Sequence, residues 1–221
     1  MLKKLHQKLE FYSRIRFFCY LYLNFFCKNV IRTDRSLLIP YKGAVIDIDP
    51  GAKLILGGGD VEIGCDLLKG SRAETRVRLR KNAIWSNEGG CRISYDATVE
   101  VLSSGFLDTR FFTVNTGSVL VTAKKISLGH DVMIGRNVVV YDSDHHAIRS
   151  GAGNLVNPDA PVSIGDHVWL ATNSTVLKGT TIGSGSIVSA NSVAHGKIPA
   201  DSLYSAGKIR ENYGSWYREH P

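Results

Sequence analysis

Hydrophobic and polar positions follow three regimes along the chain. Leu2, Leu5, Leu9, Tyr12, Ile15 and Cys19 recur near the 3.6-residue period of a helix with basic residues between them, which predicts an amphipathic helical segment over residues 1–40. From Ile46 onward, short aliphatic runs alternate with Gly, Asp, Asn and Ser, and nothing reads as a long helix until the tail. Inside this body Ile164, Leu170, Val176, Ile182 and Val188 stand at an unbroken six-residue interval, and Leu128, Ile134 and Val140 keep the same phase upstream. Most are followed by a small residue: Gly129, Gly135, Gly165, Ala171, Gly183 or Ser189.

A six-residue period fits neither a helix nor a simple alternating strand. It fits a parallel β-helix whose short strands turn at each hexad, the aliphatic residue pointing inward and the small one letting the backbone turn closely. Three hexads make a coil of about 18 residues, and coils stack at about 4.8 Å. Val45, Leu56, Val61, Val77, Ile84, Ile93, Val99 and Leu107 continue the inward column upstream with an irregular phase. Residues 141–161 lack the repeat, carry Gly151, Gly153, Asn154, Asn157 and Pro158, and open with Asp-Ser-Asp-His-His, which predicts an exposed excursion loop. The expected organisation is all-β: the helical segment at 1–40, the β-helix over 41–200, and a short helical tail over 201–221.

At 221 residues one domain suffices, and 22 glycines suit many tight turns. The net charge of +7 concentrates in the first 35 residues, where Lys3, Lys4, Lys8, Arg14, Arg16, Lys28, Arg32 and Arg35 face only Glu10 and Asp34. Such a charge suits an anionic partner. With no helix-turn-helix, zinc finger or aromatic stacking platform, nucleic acid is set aside. The apolar stretch from Phe17 to Phe26 is broken by Asn24, is too short to span a bilayer, and is not followed by a small-residue cleavage site. Residues 1–35 therefore suit either packing across the base of the domain or peripheral contact with the inner membrane surface. Cys19, Cys27, Cys65 and Cys91 form no CxxC pair, which points to a reducing cytoplasm and no metal.

The segments IGRNVVVYDSDHHAI (134–148) and PVSIGDHVWLATNSTVLKGTTIGSGSIVSANSV (161–193) resemble the hexapeptide-repeat acyltransferases, in their sugar O-acetyltransferase branch. The resemblance implies a left-handed β-helix, a homotrimer with sites between subunits, acetyl-CoA as co-substrate and a sugar or glycan acceptor. A sugar hydroxyl needs a base of near-neutral pKa as it attacks a thioester, a role suited to histidine. The family's Asp-x-Asp-x-His-x-Ile pattern falls on Asp142, Asp144, His146 and Ile148. His146 is thus the expected base, with His145 the competitor because its spacing to Trp169 matches some relatives better. Asp142 or Asp144 would orient the imidazole, Thr172 would serve the oxyanion, Trp169 would wall the pocket, and Asn115 would bind the acceptor hydroxyl. The pantetheine arm of CoA would meet backbone near Ala171, Gly179 and Ala190, and Lys178, Lys197, Lys208 and Arg210 would meet its phosphates. The sequence departs from the family at Tyr204-Ser205-Ala206-Gly207-Lys208, which lacks a customary Pro, and at Gly196, where relatives carry a lysine.

Three rivals share the scaffold. A γ-carbonic-anhydrase-like enzyme needs three histidines on one zinc, yet the HxxxxH element is missing and His130, His145 and His167 would have to converge. An acyl-carrier-protein-dependent acyltransferase has a longer helical tail. A non-catalytic scaffold needs no site at all.

Overall fold

The structure, a computed structural model, describes residues 11–219. Leu2, Leu5 and Leu9 of the predicted helical pattern lie outside that range. Short strands follow one another with a turn between them, and every third strand pairs in parallel with its predecessor, so the chain winds into three sheets around one core. The first face runs from Val30–Arg32 to Lys197–Ile198, the second from Leu38–Pro40 to Ser202–Ser205, and the third from Ala44–Ile48 to Val193–Ala194. This is a parallel β-helix of triangular section.

The hexad sets the register. Ile164 pairs with Ile182, Leu170 with Val188 and Val176 with Ala194, each eighteen residues on. Across the excursion loop the step doubles to thirty-six, Leu128 pairing with Ile164 and Val140 with Val176. The loop therefore adds one coil's length and the core keeps its phase. All eight six-spaced aliphatics are buried. The small residues after them mark close approaches: a Cβ on Gly165 would lie 2.7 Å from the Ser184 amide nitrogen, and one on Gly135 would lie 2.8 Å from the Leu170 carbonyl oxygen.

Upstream, Leu56, Val61, Val77, Ile93, Val99 and Leu107 are buried as expected, and two positions differ. Val45 is exposed and Ile84 only half-buried, while their neighbours Ala44 and Trp85 face the core. At Ile84 the inward place is taken by a buried aromatic layer. Trp85 donates from Nε1 to Thr109 Oγ1 at 2.9 Å, Asn87 donates to the same hydroxyl at 2.9 Å, and Trp85 packs against Phe112. A buried indole keeps its place when its N–H is satisfied, and here it displaces the aliphatic phase by one residue.

The ends also depart from expectation. Residues 11–14 are helical, the chain breaks at Ile15 where it bridges Tyr41, and a second helix occupies Phe17–Leu21 and continues as a single π turn, Tyr22–Phe26, closed by the Cys27 amide donating to the Tyr22 carbonyl. By Val30 the chain is strand, so the helical segment expected up to residue 40 stops well short. Asn24, which interrupts the apolar run, is what docks this helix: its amide donates to the Tyr20 and Leu38 carbonyls and its oxygen accepts from the Leu38 amide and Arg32. Leu23 inserts beside it into the end of the core. At the other end the expected helical tail is a hairpin instead. Ser202–Ser205 pairs antiparallel with Lys208–Glu211 through Ala206 and Gly207, both at positive φ, a two-residue turn whose twist suits a hairpin.

Candidate active site

The excursion loop leaves the corner between the third and first faces after Val139–Tyr141 and returns at Val162–Ile164. Asp142, at its root, is fully buried, and its carboxylate accepts from the amides of Ala123 (2.6 Å), Lys124 (2.8 Å) and Lys125 (2.6 Å) on the preceding coil. Three amides converging on one carboxylate pin the loop's origin. Asp144 accepts from Lys178 Nζ at 2.6 Å and Asn157 Nδ2 at 2.8 Å. The Lys178 ammonium, followed by the Asn157 hydrogen bond, holds the Asp144 carboxyl below the usual carboxylate range. Neither aspartate is hydrogen-bonded to a histidine ring among the described residues; both carboxylates bind groups that shape the loop.

Asn157 completes the frame, accepting from the Ile148 amide at 2.6 Å and donating to the His146 carbonyl at 2.8 Å. Sequence reading noted Asn157 only as a loop-forming residue. His145 takes a positive φ of 60° and sets its ring edge-on to Tyr141 at 4.8 Å. His145 and His146 are both exposed, and with Asp144, Asn157 and Leu155 they line a small cleft of about 280 Å³. A backbone held at both ends that presents two histidines to a cleft can accept a proton from a bound hydroxyl.

The expected site residues fall into two groups on one chain. Lys178 and Gly179 share the loop's corner and Lys197 begins the last strand of the first face, whereas Asn115, Ala171, Thr172 and Ala190 lie at the corner between the second and third faces, with Trp169 on the second face. Lys208 and Arg210 stand exposed on the terminal hairpin. Thr172 and Ala190 are exposed, and the coils there stack through the Asn191 amide donating to the Thr172 carbonyl. Asn115 is half-buried and donates to the Ile134 carbonyl at 3.1 Å. The amides of Ala171 and Gly179 donate to the Val188 and Ala160 carbonyls. Lys178 is likewise engaged by Asp144 and by the Asn157 carbonyl at 3.0 Å.

A third cluster at the corner between the first and second faces has no counterpart in the sequence reading. His167 stacks on Trp216 at 4.3 Å with rings nearly parallel, its Nδ1 lies 2.7 Å from Asp131 Oδ2, and its Nε2 lies 2.9 Å from the Trp216 carbonyl. Arg218 donates to the other Asp131 oxygen at 2.7 Å. Burial raises the Asp131 carboxyl, but the hydrogen bonds from His167 and Arg218 outweigh it and leave the group low. Trp216 also tilts against Trp169 at 6.2 Å, so the tail backs the face that carries it. The only sequence signal would have been a Trp near a tail of no clear pattern. Among the described residues no three His, Cys, Asp or Glu side chains gather as metal ligands, and His145 lies at a different corner from His130 and His167.

Residues 161–196 match the bacterial transferase hexapeptide (six repeats) family, so that segment carries the family's repeat. The chain is 32% identical over 112 residues to the putative lipopolysaccharide biosynthesis O-acetyl transferase WbbJ of Escherichia coli, covering 45% of this chain and 57% of that protein. It is 39% identical over 69 residues to the polysialic acid O-acetyltransferase of Neisseria meningitidis, covering 30% of this chain and 32% of that one. The matched segment thus spans between about a third and somewhat over half of these relatives' length. In three dimensions the chain is similar to the polySia specific acetyltransferase NeuO, with a TM-score of 0.51 at 22% identity over 87% of this chain and 84% of that one, a likeness of fold.

Proposed function

We propose that this chain is an acetyl-CoA-dependent O-acetyltransferase acting on a sugar hydroxyl of a surface polysaccharide or its lipid-linked precursor. The observation that carries the reading is the pinned loop presenting His145 and His146 beside a repeat segment shared with O-acetyltransferases. The β-helix is read as left-handed and the active assembly as a homotrimer. The separation of the site residues supports that assembly: closing identical copies around an axis can set the loop corner of one against the Thr172 corner of the next, completing a site that one chain leaves divided.

In the reaction the imidazole of His146 takes the proton of the acceptor hydroxyl as its oxygen bonds to the thioester carbonyl carbon. His145 is the alternative base. The Thr172 hydroxyl of the neighbouring copy donates to the carbonyl oxygen as charge develops there. As the carbon–sulfur bond breaks, the imidazolium gives its proton to the departing thiol, which balances the transfer. Asp142, Asp144 and Asn157 act through the loop by holding the histidines in place. The exposed Lys197, Lys208 and Arg210 suit the phosphates of CoA, and Ala190 lies exposed where a pantetheine arm would run. Among the described residues no helix is long and apolar enough to cross a membrane, and the enzyme is read as working at the inner membrane face.

Titration calorimetry with acetyl-CoA, paired with sedimentation analysis, tests the assembly. The reading expects a trimer binding one acetyl-CoA per chain; a monomer that binds none would overturn it.

A further inference from the structure

The end of the β-helix that carries the first coil presents an apolar surface that is exposed among the described residues. On the helix Phe17–Leu21 and its π turn Tyr22–Phe26, Leu23 and Asn24 face inward. The outward face is aromatic: Phe18 is 84% exposed, Tyr22 56%, Phe25 65% and Phe26 72%. Their spacing puts them on one side of the helix, away from the core. Water-exposed aromatics at this density mark an interaction surface.

Beside residues 13–14, just ahead of this helix in the chain, lies an open cleft of about 1240 Å³. It is formed where residues 13–14 run beside Tyr41–Gly43 and the loop at 66–73 folds over them. Lys42, Lys69 and Arg72 line it and Leu68, 64% exposed, stands at its rim. Lys28 and Arg35 are exposed at the same end. The nearby acids are occupied elsewhere. Asp34 accepts from the Ser36 and Gly58 amides, Asp60 from the Leu37 amide, and Glu62 and Asp66 pair with Arg92. Among the described residues Lys28, Arg35, Lys42, Lys69 and Arg72 have no acidic partner.

We infer that this end of the β-helix docks on an anionic lipid bilayer. The aromatics and Leu68 enter the interfacial zone, and the five cations sit at the headgroups. Aromatic rings are at home at headgroup depth, and cations near an anionic surface are drawn to it. Charge complementarity selects this occupant over a second copy of the chain, because a self-interface here would set the cations against one another. The inference gives the location proposed above its surface and lipid class, and it stands whether or not the chain transfers acetyl groups.

The test is co-sedimentation of the full chain with vesicles of phosphatidylcholine alone and of phosphatidylcholine containing phosphatidylglycerol, at low and high salt. Binding to the anionic vesicles is expected to be at least tenfold stronger than to the neutral ones and to weaken with salt. The triple variant Phe18→Ser, Phe25→Ser, Phe26→Ser changes only exposed side chains, so its thermal midpoint should match wild type while vesicle binding drops at least tenfold. Lys69→Glu with Arg72→Glu should lower binding and flatten its salt dependence. Binding that ignores lipid charge, or that survives the triple substitution, overturns the inference. So does a loss of self-association in the triple variant, which would assign the aromatic face to contacts between copies. Failure to bind acetyl-CoA would leave this result untouched.

Discussion

Asp144 and Lys178 stand thirty-four residues apart in sequence and 2.6 Å apart in space, carboxylate to ammonium. The contact ties the start of the excursion loop to the coil that follows it, and Asn157 joins the same carboxylate from the loop's return arm. The two adjacent histidines follow directly on this tie, three and four residues past the buried Asp142 root.

The tie has a pH signature. Because the Asp144 carboxyl titrates lower in the folded loop than when free, its contribution is complete above the ordinary carboxylate value of about 4 and is lost as pH falls through the lower folded value. An NMR titration of the carboxyl carbons should show Asp144 below that ordinary value in wild type and moved back towards it in Lys178→Gln. An unchanged Asp144 midpoint in the variant would mean that Lys178 does not hold the loop in solution.

Asp142 carries a structural load. Asp142→Ala strands three amides on the coil below, and the expected loss is on the order of 3 kcal/mol in chemical denaturation. Asp142→Asn should also destabilise, by less, since its amide puts a donor where an acceptor is required. A variant as stable as wild type would show that these amides find other partners.

Gly165→Ala probes the hexad itself. The added Cβ would meet the Ser184 backbone at 2.7 Å, and moving one stacked coil strains its neighbours, so a loss of about 1–3 kcal/mol is expected. The measurement is a thermal or denaturant midpoint. Gly151→Ala, in the excursion loop with open space around its Cα, is the control and should leave the midpoint unchanged.

How much of this was legible in sequence depends on the range of the interactions. From Leu128 to Val188 the hexad repeats strictly, so inward positions, coil length and the excursion loop can all be read from local spacing. Further upstream, Trp85 takes the inward place expected of Ile84 because Thr109, twenty-four residues away, satisfies its indole. The terminal hairpin was missed because Ala206 adopts a positive φ that its residue type seldom signals. The histidines and Asp144 could be picked out from their pattern, but the partners that fix them could not. Lys178 and Asn157 meet Asp144 only once the loop has closed, and the His167–Trp216 stack joins residues forty-nine positions apart.

The most direct test of the central claim is release of free thiol from acetyl-CoA in the presence of a panel of surface glycans, comparing wild type with His146→Ala and His145→Ala. Glycan-dependent release that survives in His145→Ala and falls by a factor of about 100 or more in His146→Ala is the predicted result. The reverse pattern would move the base by one residue. Release at the wild-type rate in both variants, or no release by the wild-type protein with any glycan, would contradict acetyl transfer at this loop.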